Sequence, residues 1–214
     1  GPTRVAARRR PTLPRAVKLR YGPTPYAFSE SDLLMGALSG SMSPSKFYVH
    51  GDLPKDVRRS YQQRIELRVF KPLRPEEEAD ERAGWCAVGQ PFELELSPDK
   101  VFTGPYLSLG LRIDRYRFPP PVVNAELELA SRALREKRGQ EKLSRSQKEE
   151  LKQRVLQSLR KKFLPRMQMV DLVWNLDRQE LYFWSQSGAL HERLSALFEL
   201  SFGLELVLDS PFMA

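Results

Sequence analysis

The sequence contains one cysteine and two histidines, and this scarcity excludes several kinds of site. Cys86 alone cannot form an intramolecular disulfide, so nothing indicates an oxidising compartment. Zinc sites need several thiolate or imidazole ligands, and no HExxH or paired-cysteine pattern is present. Cys86 could form a catalytic pair of nucleophile and base with His50 or His191, but nothing in the sequence favours such a pair.

Phosphate-binding glycine motifs and long apolar runs are also missing. Neither GxxxxGK[ST] nor GxGxxG occurs, so nothing supports an ATPase or a dinucleotide enzyme. No run approaches the roughly 20 apolar residues that cross a bilayer, and residues 1–15 contain no apolar segment that could act as a signal peptide. We therefore expect a cytoplasmic protein with no membrane partner, no bound cofactor and no catalytic site.

Positive charge is present and is concentrated in two regions. The net charge is +8. Residues 1–20 contribute +7 and residues 132–166 contribute +9, whereas the remaining sequence sums to −8. A concentrated basic region favours a polyanionic partner, of which nucleic acid is the commonest inside cells. The alternative is a solvated helical surface, which is the more frequent role of a single lysine-rich helix.

Four segments alternate between apolar and polar residues, which predicts strands with one face on a core. They are VKLRY (17–21), RIELRVF (64–70), FELEL (92–96) and YLSLGLRID (106–114). A capping-type start predicts a short helix in SESDLLMGALSG (29–40). Residues 71–82 have the composition of an exposed acidic loop.

From residue 119 the apolar period changes to that of a helix. Pro119 to Pro121 can precede a helix, and Gly139 can end it. A second helix is predicted to begin at a capping box, formed by Ser144 with Gln147 or by Ser146 with Glu149. The two apolar stripes are Val123, Leu127, Ala130 and Leu134 in the first helix, and Leu151, Val155, Leu159 and Phe163 in the second. The short polar connection predicts a helical hairpin.

The last quarter predicts strand, strand, helix and strand. Val170, Leu172 and Trp174 alternate, Ser187 can cap a helix, and Gly203 can end it before LELVL (204–208). The fold class is therefore α+β, with antiparallel strands, a basic helical hairpin and a C-terminal β-β-α-β unit. We divide the chain into a basic flexible tail (1–14), an N-terminal α+β part (15–118), the basic hairpin (119–166) and the C-terminal part (167–214), of which 14–214 could fold as one cooperative domain.

Two further site hypotheses come from acidic and aromatic residues. Asp171, Asp177 and Glu180 are close in sequence and could hold Mg²⁺ in a nuclease, although ordinary surface positions explain them better. Aromatic platforms could stack on unpaired bases, but adjoining strands favour core packing for them. These aromatic residues are Trp174, Tyr182, Phe183 and Trp184. Trp85 is either a packing anchor or an interface residue.

The basic helices are the favoured site. Arg145, Lys148 and Lys152 follow at i, i+3 and i+7 and share one helical face. A helix C-terminus accounts for one or two cations, not for the four near the end of the second helix. The predicted DNA-binding residues are Arg132, Arg135, Arg138, Lys142, Arg145, Lys148, Lys152, Arg160, Lys161, Lys162 and Arg166. Such a surface neutralises phosphates without reading bases.

An ordered set of segments resembles the bacterial recombination-associated RdgC family. It runs from YLSLGLRID (106–114) through the PPPVV helix start and KLSRSQKEELK (142–152) to the tryptophan-containing hairpin and FGLEL (202–206). GWCAVG (84–89) also resembles an element of that family. The similarity covers about residues 84–208.

This resemblance implies a non-enzymatic protein that binds double-stranded DNA largely independently of sequence in the nucleoid. RdgC-like proteins form ring-shaped homodimers and restrain RecA-driven strand exchange by occupying DNA. Carried over by position, the residues implied to face phosphate are Arg138, Lys142, Arg145, Lys148 and Lys152. RdgC-like proteins usually continue well beyond the FGLEL element, whereas this sequence stops at Ala214 and carries extra basic N-terminal residues, so the resemblance leaves closure of the ring open for this chain. The alternative function is a protein interaction module that binds an acidic partner.

Overall fold

The computed structural model describes residues 43–209, and these form an α+β fold built on one antiparallel sheet. The predicted fold class is thereby confirmed. The strands are β1 (Ser45–His50), β2 (Glu81–Cys86), β3 (Phe102–Thr103), β4 (Tyr106–Arg115), β5 (Arg166–Asn175), β6 (Glu180–Phe183) and β7 (Glu205–Leu208). The helices are α1 (Val57–Leu67), α2 (Pro98–Val101), α3 (Pro120–Arg138), α4 (Arg145–Lys162) and α5 (Gly188–Phe202). No helix in this part of the chain is long and apolar enough to cross a membrane.

The sheet is organised around two long central strands. Its order is β2-β4-β5-β6-β1-β7, with β3 paired to one end of β4. Strands β4 and β5 pair along their whole length, from Tyr106 opposite Asn175 to Arg115 opposite Arg166. The alternation in YLSLGLRID correctly predicts β4. Its odd-numbered residues enter the main core, and its even-numbered residues are buried by the loop that follows β2.

Aromatic side chains fill the core between the sheet and helices α1 and α5. The Trp174 ring stacks with Tyr61 at 5.4 Å and meets Phe202 edge-on at 5.5 Å between ring centroids. Trp85 is fully buried, and its Nε1 donates a 2.8 Å hydrogen bond to Ser201 Oγ. Trp85 is therefore a packing anchor. Trp174 and Phe183 are fully buried and Tyr182 is nearly so. These three rings are therefore not accessible for stacking on bases.

The strand predicted in RIELRVF is wrong, because residues 64–67 are the last turn of helix α1 and only Val69 makes an isolated bridge, to Trp85. Asp56 caps α1 by accepting a hydrogen bond from the Arg59 N–H. Tyr61 and Ile65, four residues apart, are both fully buried, whereas Leu67 is 72% exposed. The period-two pattern of three apolar residues also fits the end of a helix whose apolar stripe begins four residues earlier.

The strand predicted in FELEL is also wrong. Residues 92–96 have no strand structure, Phe92 is exposed and Leu96 is buried. Glu93 accepts a hydrogen bond from the Glu95 N–H, so the side chain competes with strand pairing for that donor. The predicted acidic loop is confirmed up to Asp80, after which β2 begins. The predicted tail (1–14), the strand at 17–21 and the helix at 29–40 lie outside the described residues.

The second half of the chain folds as its pattern predicts. Helix α3 begins after Pro119 and ends at Gly139, which adopts the left-handed φ of 63° that favours glycine. Ser144 and Gln147 form the capping box of α4, and the alternative pair is not used. The helices pack on each other as a hairpin. Strands β5 and β6, helix α5 and strand β7 then form the predicted β-β-α-β unit, with Ser187 and Gly203 at the ends of the helix.

Candidate nucleic-acid interface

The helical hairpin of α3 and α4 is inserted between the paired strands β4 and β5. Its helices pack chiefly on each other, away from the sheet. Helix α3 has 19 residues, a length of about 28 Å, and none of its residues is buried. Helix α4 buries Leu151, Val155 and Leu159. The hairpin is thus an elongated projection with a thin apolar seam and a large solvated surface.

The base of the hairpin is fixed to the loop that precedes β2. The guanidinium of Arg160 donates hydrogen bonds to the carbonyl oxygens of Glu77 at 2.6 Å and Glu78 at 2.9 Å, and to Asp80 Oδ1 at 2.6 Å. The side chain of Arg160 is only 7% exposed. Including Arg160 among the DNA-binding residues is therefore a misassignment, because this cation is held inside the protein by three oxygen acceptors.

The other predicted cations are exposed. Arg132, Arg135 and Arg138 lie on α3, and Arg145, Lys148 and Lys152 lie on α4, as their spacing predicts. Arg132 pairs with Glu128 at 3.0 Å and Lys162 pairs with Glu126 at 2.9 Å. Within residues 43–209, no ion pair involves Arg135, Arg138, Lys142, Arg145, Lys148, Lys152, Lys161 or Arg166.

The unpaired cations concentrate toward the tip of the hairpin, where α3 ends and α4 begins. Arg138 and Lys142 flank the connection, and Arg145 and Lys148 are in the first turns of α4. The exposed ion pairs of Arg132 and Lys162 contribute only about 0–1 kcal/mol each, so a phosphate can displace the glutamates. We define the hairpin surface as the exposed cations of α3, α4 and their connection. It can neutralise a phosphate backbone, a contact that does not depend on base sequence.

The three carboxylates of the metal hypothesis are not brought together. Asp171 is buried on β5, where its Oδ1 accepts a 3.0 Å hydrogen bond from the Gly89 N–H, and burial raises the pKa of this carboxyl. Glu180 pairs with Lys46 at 2.8 Å. It stands opposite Asn175, about 13 Å along β5 from Asp171. Residues 43–209 contain no group of three or more His, Cys, Asp or Glu that could hold a metal ion.

The structure also does not support a catalytic pair of Cys86 with a histidine. Cys86 is fully buried, and its Sγ lies 3.4 Å from the carbonyl oxygen of Gly110. Burial, and secondarily the charge of Asp171, raises the pKa of this thiol to about 12. His191 Nε2 lies 2.8 Å from the Ser185 carbonyl oxygen, and its ring meets Phe47 edge-on. His50 is at the exposed end of β1. Neither imidazole is positioned to activate the thiol.

A second group of arginines lies at the base of the hairpin, and of its members the sequence predicted only Arg166 as a DNA-binding residue. Arg115 is the last residue of the central strand β4, Arg117 lies two residues beyond it, and Arg166 begins the partner strand β5. Together with Arg193 of α5 they line one pocket. The period-two spacing of Arg115 and Arg117 was a usable signal, but the pairing of β4 with β5 was needed to bring Arg166 to them.

The comparisons assign no family to this chain. No family model matches it, and no curated protein has a significant match to it.

Proposed function

We propose that the protein binds double-stranded DNA independently of sequence, through the hairpin surface. The observation that carries the proposal is the projection of exposed cations that have no ion-pair partner in the described part of the chain, above all Arg138, Lys142, Arg145, Lys148 and Lys152. Each cation that meets a phosphate releases a condensed counterion, so the affinity falls steeply as salt rises. Because no base-reading motif is present, different duplexes of equal length bind with similar affinity.

The biological role follows from occupancy of the duplex. A protein that covers the phosphate backbone excludes other proteins from the same DNA, and the resemblance to RdgC proteins points to RecA-driven strand exchange as the process restrained. The proposal accordingly includes a homodimer in the nucleoid and no catalytic step. Sedimentation of the protein with and without duplex DNA measures the oligomeric state directly.

Reversal of two charges tests the interface. We expect Lys148→Glu together with Lys152→Glu to weaken binding to all duplexes by at least about tenfold and to reduce the salt slope by about one unit per lost phosphate contact. Fluorescence anisotropy with unrelated duplexes at several salt concentrations measures both effects. Single-stranded DNA of the same length establishes the strand preference.

The control changes the same net charge elsewhere. Lys55 and Arg178 are exposed and have no ion pair among the described residues. They lie near the turns at the far end of β4 and β5 from the hairpin. Lys55→Glu with Arg178→Glu should reduce affinity only slightly. Equal losses in the two double variants would mean that net charge, and not the hairpin surface, determines binding.

A second candidate is a module that binds an acidic protein. The specific observation in its favour is the apolar content of α3, where Leu129 is 62% exposed and no residue is buried. A partner with both apolar and acidic side chains would cover these residues together with the neighbouring arginines. This function requires little affinity for duplex DNA near physiological salt, and the anisotropy titration therefore separates the two candidates.

A further inference from the structure

A pocket of about 520 Å³ lies where the ends of β2, β4 and β5 meet the start of α5. Its charged walls are formed by Arg115, Arg117, Arg166 and Arg193, and Glu81 is the single carboxylate that lines it within residues 43–209. The volume falls within the range of sites that enclose small molecules. Four guanidinium groups against one carboxylate give the pocket a net positive charge.

The carboxylate of Glu81 is bound mainly by Arg193. Glu81 accepts two hydrogen bonds from Arg193, at 2.6 Å from Nε and 3.0 Å from Nη2. This bidentate contact lowers the pKa of Glu81 and raises that of Arg193, so the pair stays charged. Arg115 Nε is 3.5 Å from the same carboxylate. Within residues 43–209, Arg117 and Arg166 have no ion-pair partner.

The backbone register forces two of these cations together. Arg115 and Arg166 are directly opposite each other on the antiparallel strands β4 and β5. Like charges at opposed positions destabilise a sheet. Glu81, 3.5 Å from Arg115, offsets part of the repulsion between these two cations, and an anion between the two guanidinium groups would relieve the remainder.

The remaining wall also suits an anion. Ser187 and Ala189, at the start of the 15-residue helix α5, line the pocket. The Ser187 side chain makes no capping hydrogen bond, and the positive end of the helix dipole is directed at this region. The arginine cluster is the main source of positive potential in the pocket, and the start of the helix adds to it.

We infer that this pocket binds a phosphate monoester group. Such a group carries about −1.5 to −2 charges near pH 7 and would neutralise most of the three positive charges that Glu81 leaves uncompensated. Guanidinium forks bind phosphate oxygens in a bidentate manner. A carboxylate would supply a single charge, and a backbone phosphodiester also carries one charge and is flanked by sugars that hinder entry into a pocket.

A phosphate monoester group has two sources here, namely the 5′-phosphate at the end of a DNA strand and a free nucleotide. The pocket is next to the base of the hairpin, since Arg117 precedes α3 and Arg166 follows α4. The inference does not require the hairpin surface to bind DNA. A failure of duplex binding in the variants of α4 therefore leaves this test intact.

The test compares adenosine 5′-monophosphate with adenosine at matched ionic strength, using calorimetry and thermal unfolding of the full chain. We expect saturable binding and stabilisation by the monophosphate and none by the nucleoside. Arg117→Ala with Arg166→Ala should weaken binding at least about tenfold, because each lost charge-assisted contact is substantial. Lys55→Ala with Arg178→Ala should bind as the original protein does.

A second arm identifies the source of the phosphate. Identical short duplexes with a 5′-phosphate or a 5′-hydroxyl are titrated against the original protein and the double arginine variant. A preference for the phosphorylated end that disappears in the variant indicates a strand end, and binding of the mononucleotide alone indicates a free metabolite. Absence of both responses, or equal responses in the original protein and the variant, overturns the inference.

Stability provides a readout that does not depend on ligand affinity. In phosphate-free buffer, Arg166→Gln should raise the melting temperature, because it removes the repulsion with Arg115, while it reduces stabilisation by the monophosphate. A lower melting temperature in this variant would mean that the cations are not in conflict, and it would count against the site.

Discussion

A single arginine shows how burial decides between a structural and a binding role. Arg160 and Lys161 are adjacent in α4, but Arg160 is enclosed by three oxygen acceptors and Lys161 is exposed. We expect Arg160→Ala to lower the free energy of unfolding by about 2–4 kcal/mol, because it leaves the carbonyl groups of Glu77 and Glu78 without a donor. Lys161→Ala should change it by less than about 0.5 kcal/mol and weaken duplex binding instead. Urea unfolding and anisotropy of both variants measure this contrast, and equal stability losses would contradict it.

Asp171 gives a prediction for the dependence of stability on pH. Burial raises the pKa of its carboxyl from the usual 3.8, although the hydrogen bond from Gly89 opposes the shift. The folded protein therefore binds the proton more tightly than the unfolded chain does. Ionisation of Asp171 lowers the free energy of unfolding, and this loss is complete at pH values above the folded pKa. Asp171→Asn should increase the free energy of unfolding near pH 7, since an amide oxygen can still accept from Gly89 without carrying charge.

The gain from Asp171→Asn should diminish as the pH falls through the raised pKa toward 3.8, because the original carboxyl becomes neutral as well. Chemical unfolding at a series of pH values measures the difference. A destabilised variant at pH 7 would show that the charge of Asp171 is required by its surroundings. In the nuclease alternative, the same substitution would abolish Mg²⁺-dependent cleavage of DNA.

At the scale of elements, the hairpin should loosen without unfolding the sheet. Ser144 caps α4 by accepting a 3.2 Å hydrogen bond from the Gln147 N–H. We expect Ser144→Ala to cost about 1 kcal/mol and to speed amide exchange in the first turns of α4, while the amides of β4 and β5 stay protected. Ser146→Ala is the control, because Ser146 is exposed within the helix and alanine favours helix there. Uniform loss of protection in the Ser144 variant would mean that the hairpin and the sheet unfold together.

The elements also show how far local patterns determine this fold. Helices α3 and α4 follow from proline, glycine and capping residues together with long stripes, and all of this information is local. The pattern in RIELRVF did not predict helix α1, because the last apolar residues of this helix also alternate as in a strand. Only the burial of Tyr61 together with Ile65 shows that the helical period is the correct one. The exposure of Lys148 could be predicted from its helical face. The burial of Arg160 could not, since its acceptors lie about 80 positions away in a loop.

At the scale of the whole molecule, the basic hairpin and the sheet are separable by topology. Arg115 and Arg166 are Cα partners, so continuing this register places Phe118 opposite Phe163, and their rings are 5.8 Å apart. Replacing residues 119–162 with Asn-Gly would join these strand extensions by a two-residue turn. We expect the shortened protein to fold with its tryptophan core intact and to lose about 2–4 kcal/mol with the Arg160 anchor.

The same excision is expected to lower duplex affinity by at least about tenfold and to flatten its salt dependence, because the whole hairpin surface is removed. Tryptophan fluorescence and urea unfolding report the fold, and anisotropy at about 50 and 200 mM salt reports binding. A folded variant that keeps the original affinity would place the interface elsewhere, for example in the basic residues 1–20.

The two ends of the hairpin leave the sheet at neighbouring positions on paired strands, and this allows its length to vary independently of the rest of the fold. An added 14 residues, seven in each helix, would extend the hairpin by about 10 Å without a change of register in the sheet. Helices of different length on the same platform would reach across different numbers of phosphates. The span of DNA covered by one molecule is thus a property that insertions and deletions at a single site can adjust.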